Sequence, residues 1–288
     1  MDNTFSYDEA FSRNLGLLTR EEQDQIKDFT IAIPGMGGVG GAHLIALVRQ
    51  GFQKFKIADF DAYALNNFNR QYGARVDTIG QKKGEIMKGE ALKINPNCTI
   101  EVFSEGINDK NINDFLAGVD LSVDALDAFA VDARRLYFNR SLQKKIPVIT
   151  AGPIGFGTAF LIFKPGGPNF DDYFQIKDTH TEDEKIMRFL VGLVPSLLQR
   201  PYLKDADISE RRGPSSIGAV QLCSGVVVLY ALKILLNKGT VKAVPYYHQF
   251  DVMQERYIAK RLWFGNAHPI QRLKLLLAKH FPQLLVKD

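Results

Sequence analysis

Short apolar runs alternate along this chain with segments whose apolar residues recur at helical spacing. FTIAI, residues 29–33, is rich in β-forming residues and predicts a buried strand. A glycine turn follows at Gly35–Gly41. A helix is expected over Gly41–Gly51, with Leu44, Ile45, Leu47 and Val48 at core spacing and Gly51 as its stop. Phe55–Phe60 predicts a second strand. This is a βαβ unit, which calls for a parallel sheet covered by helices. The alternation continues with a helix at Lys82–Asn95, a strand at Cys98–Ser104, a short helix at Ile112–Leu116 and a strand at Leu121–Ala125. A helix at Asp127–Lys144 and a strand at Val148–Ala151 come next. A second glycine-rich turn, Gly152–Gly157, leads into alternation over Thr158–Lys164.

The two ends read differently. Residues 5–28 predict amphipathic helical turns, with Thr19 and Glu22 of TREE forming a capping box. Pro165–Gly213 is polar and proline-bearing, with an acidic cluster at Glu182–Glu184, and predicts a long excursion over one face. Its apolar insert FLVGLVPSLL reads as a helix or a docking segment, and the side chains of Tyr173, Phe174, Phe189 and Leu190 have two readings: recognition of an acceptor, or core packing. Ser216–Asn237 predicts a long apolar helix, Val244–Leu262 a hairpin and Ile270–His280 a closing helix. The expected architecture is one α/β domain with a Rossmann-like, mostly parallel sheet and helices on both faces. A long C-terminal helix and an antiparallel hairpin extend it. Its parts are N-terminal helices (1–28), a nucleotide-binding core (29–164), a crossover (165–213) and a C-terminal helix, hairpin and tail (214–288).

With 288 residues, 45% of them hydrophobic, the chain can bury a sizeable core. The net charge of +4 is spread thinly, so ordinary solubility is favoured over a nucleic-acid surface. Two cysteines, Cys98 and Cys223, form no C-x-x-C pair and cannot build a four-cysteine zinc site, so no structural zinc is expected. The first residues carry no signal pattern. The apolar run Ala219–Leu236 is broken by Gln221, Ser224, Gly225 and Lys233. The expectation is a cytoplasmic protein with no membrane partner.

The candidate chemistry begins at GMGGVG, where Gly35, Gly37 and Gly40 fit G-x-G-x-x-G. Such a turn aims backbone N–H groups at a phosphate on a helix N-terminus. Asp59, 19 residues past Gly40, stands where a carboxylate grips a ribose hydroxyl. To this point NAD, ATP or a purely structural turn are served alike. The next segment, DFDAYALNNFNRQYGA, adds Asp61 and a polar cluster of Asn66, Asn67, Asn69, Arg70 and Gln71. Arginine suits forked phosphate contact, and Lys83 in TIGQKK supplies a point charge near a helix start. Asp127 in VDALDAF follows a buried strand. It suits either a Mg²⁺ ligand beside a triphosphate or a helix N-cap. Cations and carboxylates in this number favour ATP with Mg²⁺ over a nicotinamide site.

The order GMGGVG, ADFDAYALNNFNRQ, TIGQKK, DALDAF resembles the ThiF/MoeB family, the adenylating relatives of the ubiquitin-activating enzymes, over residues 10–260. The resemblance implies phosphate contacts from Gly38, Asn67, Arg70 and Lys83, a ribose contact from Asp59, and Mg²⁺ at Asp127. FSRN is similar to the family's short Tyr-Asn-Arg-Gln segment and places Arg13 on its arginine, which reaches the ATP of the other subunit. A homodimer is therefore implied. The implied reaction is adenylation of a carboxylate, usually the C-terminal glycine of a ubiquitin-like or sulfur-carrier protein, with release of pyrophosphate.

The chain departs from the family pattern in three places. The zinc-binding C-x-x-C pairs are absent, and residues 165–213 hold no cysteine. Ala128 stands where asparagine is common. Both cysteines read as structural, so the reaction is expected to stop at the adenylate or pass it to an external nucleophile. Two alternatives share the ATP site. One is a tRNA threonylcarbamoyladenosine dehydratase, against which the tail offers few basic residues (Arg272, Lys274, Lys279). The other is a non-catalytic partner presenting a ubiquitin-like protein, against which Arg13, Arg70, Lys83 and Asp127 are all kept. An NAD oxidoreductase finds no evident acid–base group.

Overall fold

The computed structural model describes residues 5–203 and 213–280. The chain falls into two compact units. The first holds residues up to Ala125 together with Ser224–Val241. The second holds Leu126–Cys223 and the residues from Lys242 onward.

In the first unit, α1 (Tyr7–Ala10) and α2 (Arg20–Gln25) precede β1 (Thr30–Pro34). Then follow α3 (Gly38–Gln50), β2 (Lys54–Ala58), α4 (Lys83–Ile94), β3 (Thr99–Phe103), α5 (Ile112–Phe115) and β4 (Leu121–Asp124). The four strands are parallel in the order β3-β2-β1-β4. Ile31, Ala32 and Ile33 of β1 and Leu121 and Val123 of β4 are all buried, as strands covered on both faces require. β1 pairs with β2 on one side and β4 on the other, so the chain order reverses between β1 and β4. Open α/β sheets bind ligands at the carboxyl ends of such strands.

The expected helix at Gly41 starts three residues earlier, at Gly38. Close packing explains this. A Cβ on Gly40 would lie 1.7 Å from the Gly35 carbonyl oxygen and 3.0 Å from the Ala125 Cβ. Glycines read as turn are the first helical turn, stripped of side chains so that it can press onto the turn before it. Gly51 ends α3 at φ 108°, as expected. The Thr19–Glu22 capping box is present, at 3.2 and 2.9 Å. On α3, His43 is fully buried. Its Nδ1 lies 3.0 Å from Ser224 Oγ and its Nε2 has no partner, and burial lowers its pKa to about 3.

The second unit opens with a loop over 126–130, then α6 (Val131–Gln143). The helix expected from Asp127 thus starts four residues later. β5 (Val148–Ile154) and β6 (Gly157–Phe163) form a tight hairpin, followed by α7 (Phe170–Phe174), α8 (Glu182–Leu193) and α9 (Ile217–Leu235). α9 passes into the first unit at Ser224. β7 (Tyr246–Asp251), β8 (Arg256–Arg261) and α10 (Pro269–His280) complete the second unit. β5, β6, β7 and β8 are antiparallel neighbours. The expected Gly152–Gly157 turn is mostly strand, with Gly155 (φ 60°) making the bend. All seven residues of β6 are buried, so its alternation does not mark a half-exposed strand.

The expected excursion over 165–213 is largely helical and packed, and residues 204–212 lie outside the described residues. Thr181 and Glu184 make a capping box on α8. Tyr173, Phe174 and Phe189 are 1%, 0% and 3% exposed, and Leu190 is half-buried. Phe170 meets Phe174 at 4.6 Å, and Phe174 meets Phe189 at 5.2 Å. Core packing, not acceptor recognition, explains these aromatics. α9 is long and apolar enough, by length and composition, to cross a membrane. Its buried residues recur as Ala219, Val220, Cys223, Val227, Val228, Ala231 and Leu232, the stripe of a core helix.

Gly40→Ala is expected to destabilise the fold by about 2–3 kcal/mol or more, because the new methyl group meets backbone. Gly89→Ala, inside α4 with nothing within 4 Å, is expected to stabilise it by about 0.5–1 kcal/mol. Urea unfolding midpoints check both. The folded His43 ring takes a proton only below about pH 3, whereas its ordinary value is 6.5. Between these values the unfolded state binds the proton, so stability falls as pH drops below 6.5. The slope is about 1.4 kcal/mol per pH unit. Urea unfolding at pH 6.5 and pH 5 is expected to show this loss in the wild type and not in His43→Gln.

Candidate nucleotide site

The site is built outward from the end of β1. There Gly35 turns at φ 95°, and its N–H donates to Ala58 O at the end of β2, at 2.6 Å. The next amide, Met36 N–H, donates to Asp59 Oδ2 at 2.6 Å. Asp59 Oδ1 accepts from Asp61 N–H at 2.7 Å. One carboxylate therefore ties the glycine turn to the loop after β2. Burial pushes the Asp59 pKa up, opposed by these two amides and by Lys83.

Beyond Met36 the chain enters α3, whose first N–H groups, those of Gly38, Val39 and Gly40, have no intrahelical acceptor. The helix dipole adds partial positive charge at the same point. Gln71 lies beside the turn: a Cβ on Gly37 would come 3.8 Å from its Nε2. The Gln71 carboxamide is 8% exposed, and its oxygen has no partner. A buried orphan of this kind beside free amides fits a ligand bearing both donors and acceptors.

Lys83 opens α4 and is 6% exposed. Its ammonium donates to Asp61 Oδ2 at 2.9 Å. Asp61 is about half exposed, so the pair is screened on one side only. Arg70 is folded onto its own loop, with Nη1 donating to Asn66 O and Asn69 Oδ1, both at 2.9 Å. The other edge of its guanidinium has no protein acceptor among the described residues. Asn67 is buried and has both ends engaged, Oδ1 with Ala64 N–H and Nδ2 with Asn66 Oδ1, each at 3.0 Å. In this structure Asn67 shapes the loop rather than facing outward. Gly35, Gly37, Gly38, Gly40, Asp59, Asp61, Arg70, Gln71 and Lys83 all belong to the first unit, as do Asn66, Asn67 and Asn69.

Asp127 belongs to the second unit. It caps no helix: its exposed carboxylate accepts from Phe129 N–H through Oδ1 at 2.9 Å, and Oδ2 has no protein partner. The loop that carries it is held by Arg134, which the sequence did not single out. Arg134 is 3% exposed and donates through Nη2 to Leu126 O at 2.6 Å and Asp127 O at 3.1 Å. Its guanidinium lies 4.4 Å over the Phe189 ring. In DARRLYFNR three arginines stand close together, and only the burial of Phe189 distinguishes this one. Arg13 is exposed in the turn Ser12–Asn14.

The donor set fits a nucleotide polyphosphate: backbone amides, a buried ammonium and a guanidinium edge. Among the described residues no three His, Cys, Asp or Glu side chains converge on a metal position.

Comparison with known proteins agrees with this geometry. The model of the ThiF family matches residues 11–269. A probable molybdopterin-synthase adenylyltransferase of Porphyra purpurea is 27% identical over 95% of this chain and 71% of its own length. A tRNA threonylcarbamoyladenosine dehydratase of Haemophilus influenzae is 32% identical over 52% of this chain, which spans only 57% of that protein. Among solved structures, E. coli MccB with ATP superposes with a TM-score of 0.63 at 17% identity, covering 87% of this chain and 69% of MccB, a likeness of fold. The chain belongs to the ThiF family.

Proposed function

We propose that this chain activates a carboxylate by adenylation, with the C-terminal glycine of a ubiquitin-like or sulfur-carrier protein as the substrate. The observation that carries this reading is a set of donors in the first unit: the first amides of α3, which lack intrahelical acceptors, the buried Lys83 ammonium held by the half-exposed Asp61, and the open edge of Arg70. A carboxylate is already ionised at neutral pH, so its attack on the α-phosphorus of ATP needs no general base. The oxygen between the α- and β-phosphorus leaves with pyrophosphate, and the new bond is an acyl–phosphate anhydride. Charge develops on phosphate oxygens, which cations and amides stabilise directly. Asp127 would hold Mg²⁺, which neutralises phosphate charge when bound. Arg134 keeps the 126–128 loop in place for that role.

Arg13 is exposed and its side chain has no hydrogen-bond or ion-pair partner among the described residues, which supports its donation to the site of a second copy in a homodimer. The step after adenylation is constrained by the thiols. Cys223 is fully buried and half-buried Cys98 is similarly desolvated, and burial raises each pKa to about 12. Neither is a thiolate at neutral pH, which supports transfer to an external nucleophile. The Haemophilus relative supports a second reading, in which the activated carboxylate sits on tRNA.

Isotope exchange between ATP and pyrophosphate, with Mg²⁺ and a panel of ubiquitin-like proteins ending in glycine, tests the proposal. Exchange that requires a carrier is expected, with a loss of about 100-fold or more in Asp127→Ala. Exchange only with tRNA present would favour the second reading, and no ATP binding would sink both. Lys83→Gln is expected to weaken ATP binding about tenfold or more by calorimetry, since it removes a desolvated charge from the phosphates. Replacing both cysteines by alanine is expected to leave exchange within about threefold, and a carrier thioester on either would refute the inert-thiol reading.

A further inference from the structure

The second unit holds a cavity of about 500 Å³ that none of the glycine-turn residues lines. Its walls come from the segment Pro195–Pro201, one face of the β7–β8 hairpin, and α10. Strand alternation puts Arg256, Ile258 and Lys260 on that face, and the register sets Tyr247 opposite Lys260. Ile258 and Leu262 are buried in its floor, while Arg256 and Lys260 are exposed above them. Arg200 adds a third cation. Lys274 of α10 adds a fourth, half-buried and donating to Pro195 O.

Among the described residues no carboxylate lines this cavity. Among the described residues no acid pairs with Arg200, Arg256 or Lys260. Asp251 stands opposite Arg256 in the register, but it is buried, and its Oδ1 already accepts from Tyr202 OH and Gln254 N–H, each at 3.0 Å. Charges on an edge strand can simply guard it against pairing. That account covers Arg256 and Lys260 and leaves Arg200 and Lys274, which lie off the strand yet line the same concavity.

We infer that this cavity binds an acidic, extended peptide segment of a partner protein. Its carboxylates meet Arg256, Lys260, Arg200 and Lys274, and its apolar side chains rest on Ile258 and Leu262. Arg256 and Lys260 are four residues apart on one strand, about 13 Å along it. That span suits charges spaced along a chain better than one compact anion. Single-stranded RNA would want an exposed ring to stack on. Tyr247, the phenol in the wall, is 6% exposed, with its hydroxyl 2.6 Å from Ser196 Oγ.

Fluorescence anisotropy of a fluorescein-labelled decapeptide of alternating acidic residues and leucine, added to the full chain without ATP, tests this independently of adenylation. Saturable binding is expected, weakened about tenfold or more by Arg256→Glu with Lys260→Glu. Reversing two exposed lysines elsewhere, Lys110→Glu with Lys144→Glu, is expected to change it less than about threefold. Arg256→Gln with Lys260→Gln is expected to lose affinity in the same direction with an unchanged melting curve, which separates lost binding from lost folding. An Asn/Gln version of the peptide is expected not to bind. The inference is overturned if the wild type does not bind the peptide, as it would not were the chain's own acidic residues filling the cavity. It is also overturned if the control reversal costs as much, or if a single-stranded RNA oligonucleotide binds more tightly through the same two residues.

Discussion

The contact on which the nucleotide site depends is a backbone one: α3 starts directly against the turn that precedes it. With 1.7 Å between a virtual Cβ at position 40 and the Gly35 oxygen, only glycine lets the two segments close. The consequence is chemical as well as steric. Bringing the helix start to the turn places its unpaired amides at the carboxyl end of β1, beside β4, where the sheet order reverses. The turn is then fixed from the other side by Asp59, which accepts from Met36 and so holds the strand β2 loop to the same point.

A site that gathers positive donors before its ligand arrives must satisfy them meanwhile. Lys83 is almost wholly buried, and an unpaired buried ammonium would cost several kcal/mol or shed its proton. Asp61 holds that charge at 2.9 Å from a half-exposed position. Because the carboxylate reaches water, it can give up the ammonium to a phosphate without itself being stranded. Arg70 follows the same logic through its loop carbonyl and Asn69. The acids near the cations thus serve the empty site, and need not be read as metal ligands merely because they are acids.

Legibility in the sequence followed the range of the interaction. The parallel strands were readable because burial on both faces makes each a continuous apolar run, as in FTIAI. The cap at Thr19 was readable because its partners are three residues apart. The start of α3 was misplaced, since glycines give no sign of whether they turn or pack. The segment 165–213 was read as a long excursion because its acids and prolines outweighed the helical spacing of Ile186, Phe189 and Leu193, and because part of the aromatic cluster it joins, Phe138 and Phe163, comes from elsewhere in the chain. Asn67, an expected phosphate contact, turns out to have both ends engaged in its own loop. Arg134 was invisible for a related reason. Its meaning lies in carbonyls six to eight residues back and in Phe189, 55 positions ahead, and no local period records either.

Arg134 also shows how such a fold separates stability from chemistry. An arginine buried to this degree needs its charge answered, and three backbone carbonyls and an aromatic face contribute to that answer. Carbonyl dipoles hold the guanidinium without adding net charge to the loop that carries Asp127. Burial keeps the two thiols neutral as well. Cys223 donates to Thr158 at 3.1 Å inside the core, and Cys98 lies against the Phe52 carbonyl at 3.8 Å. Both are kept as protonated packing groups.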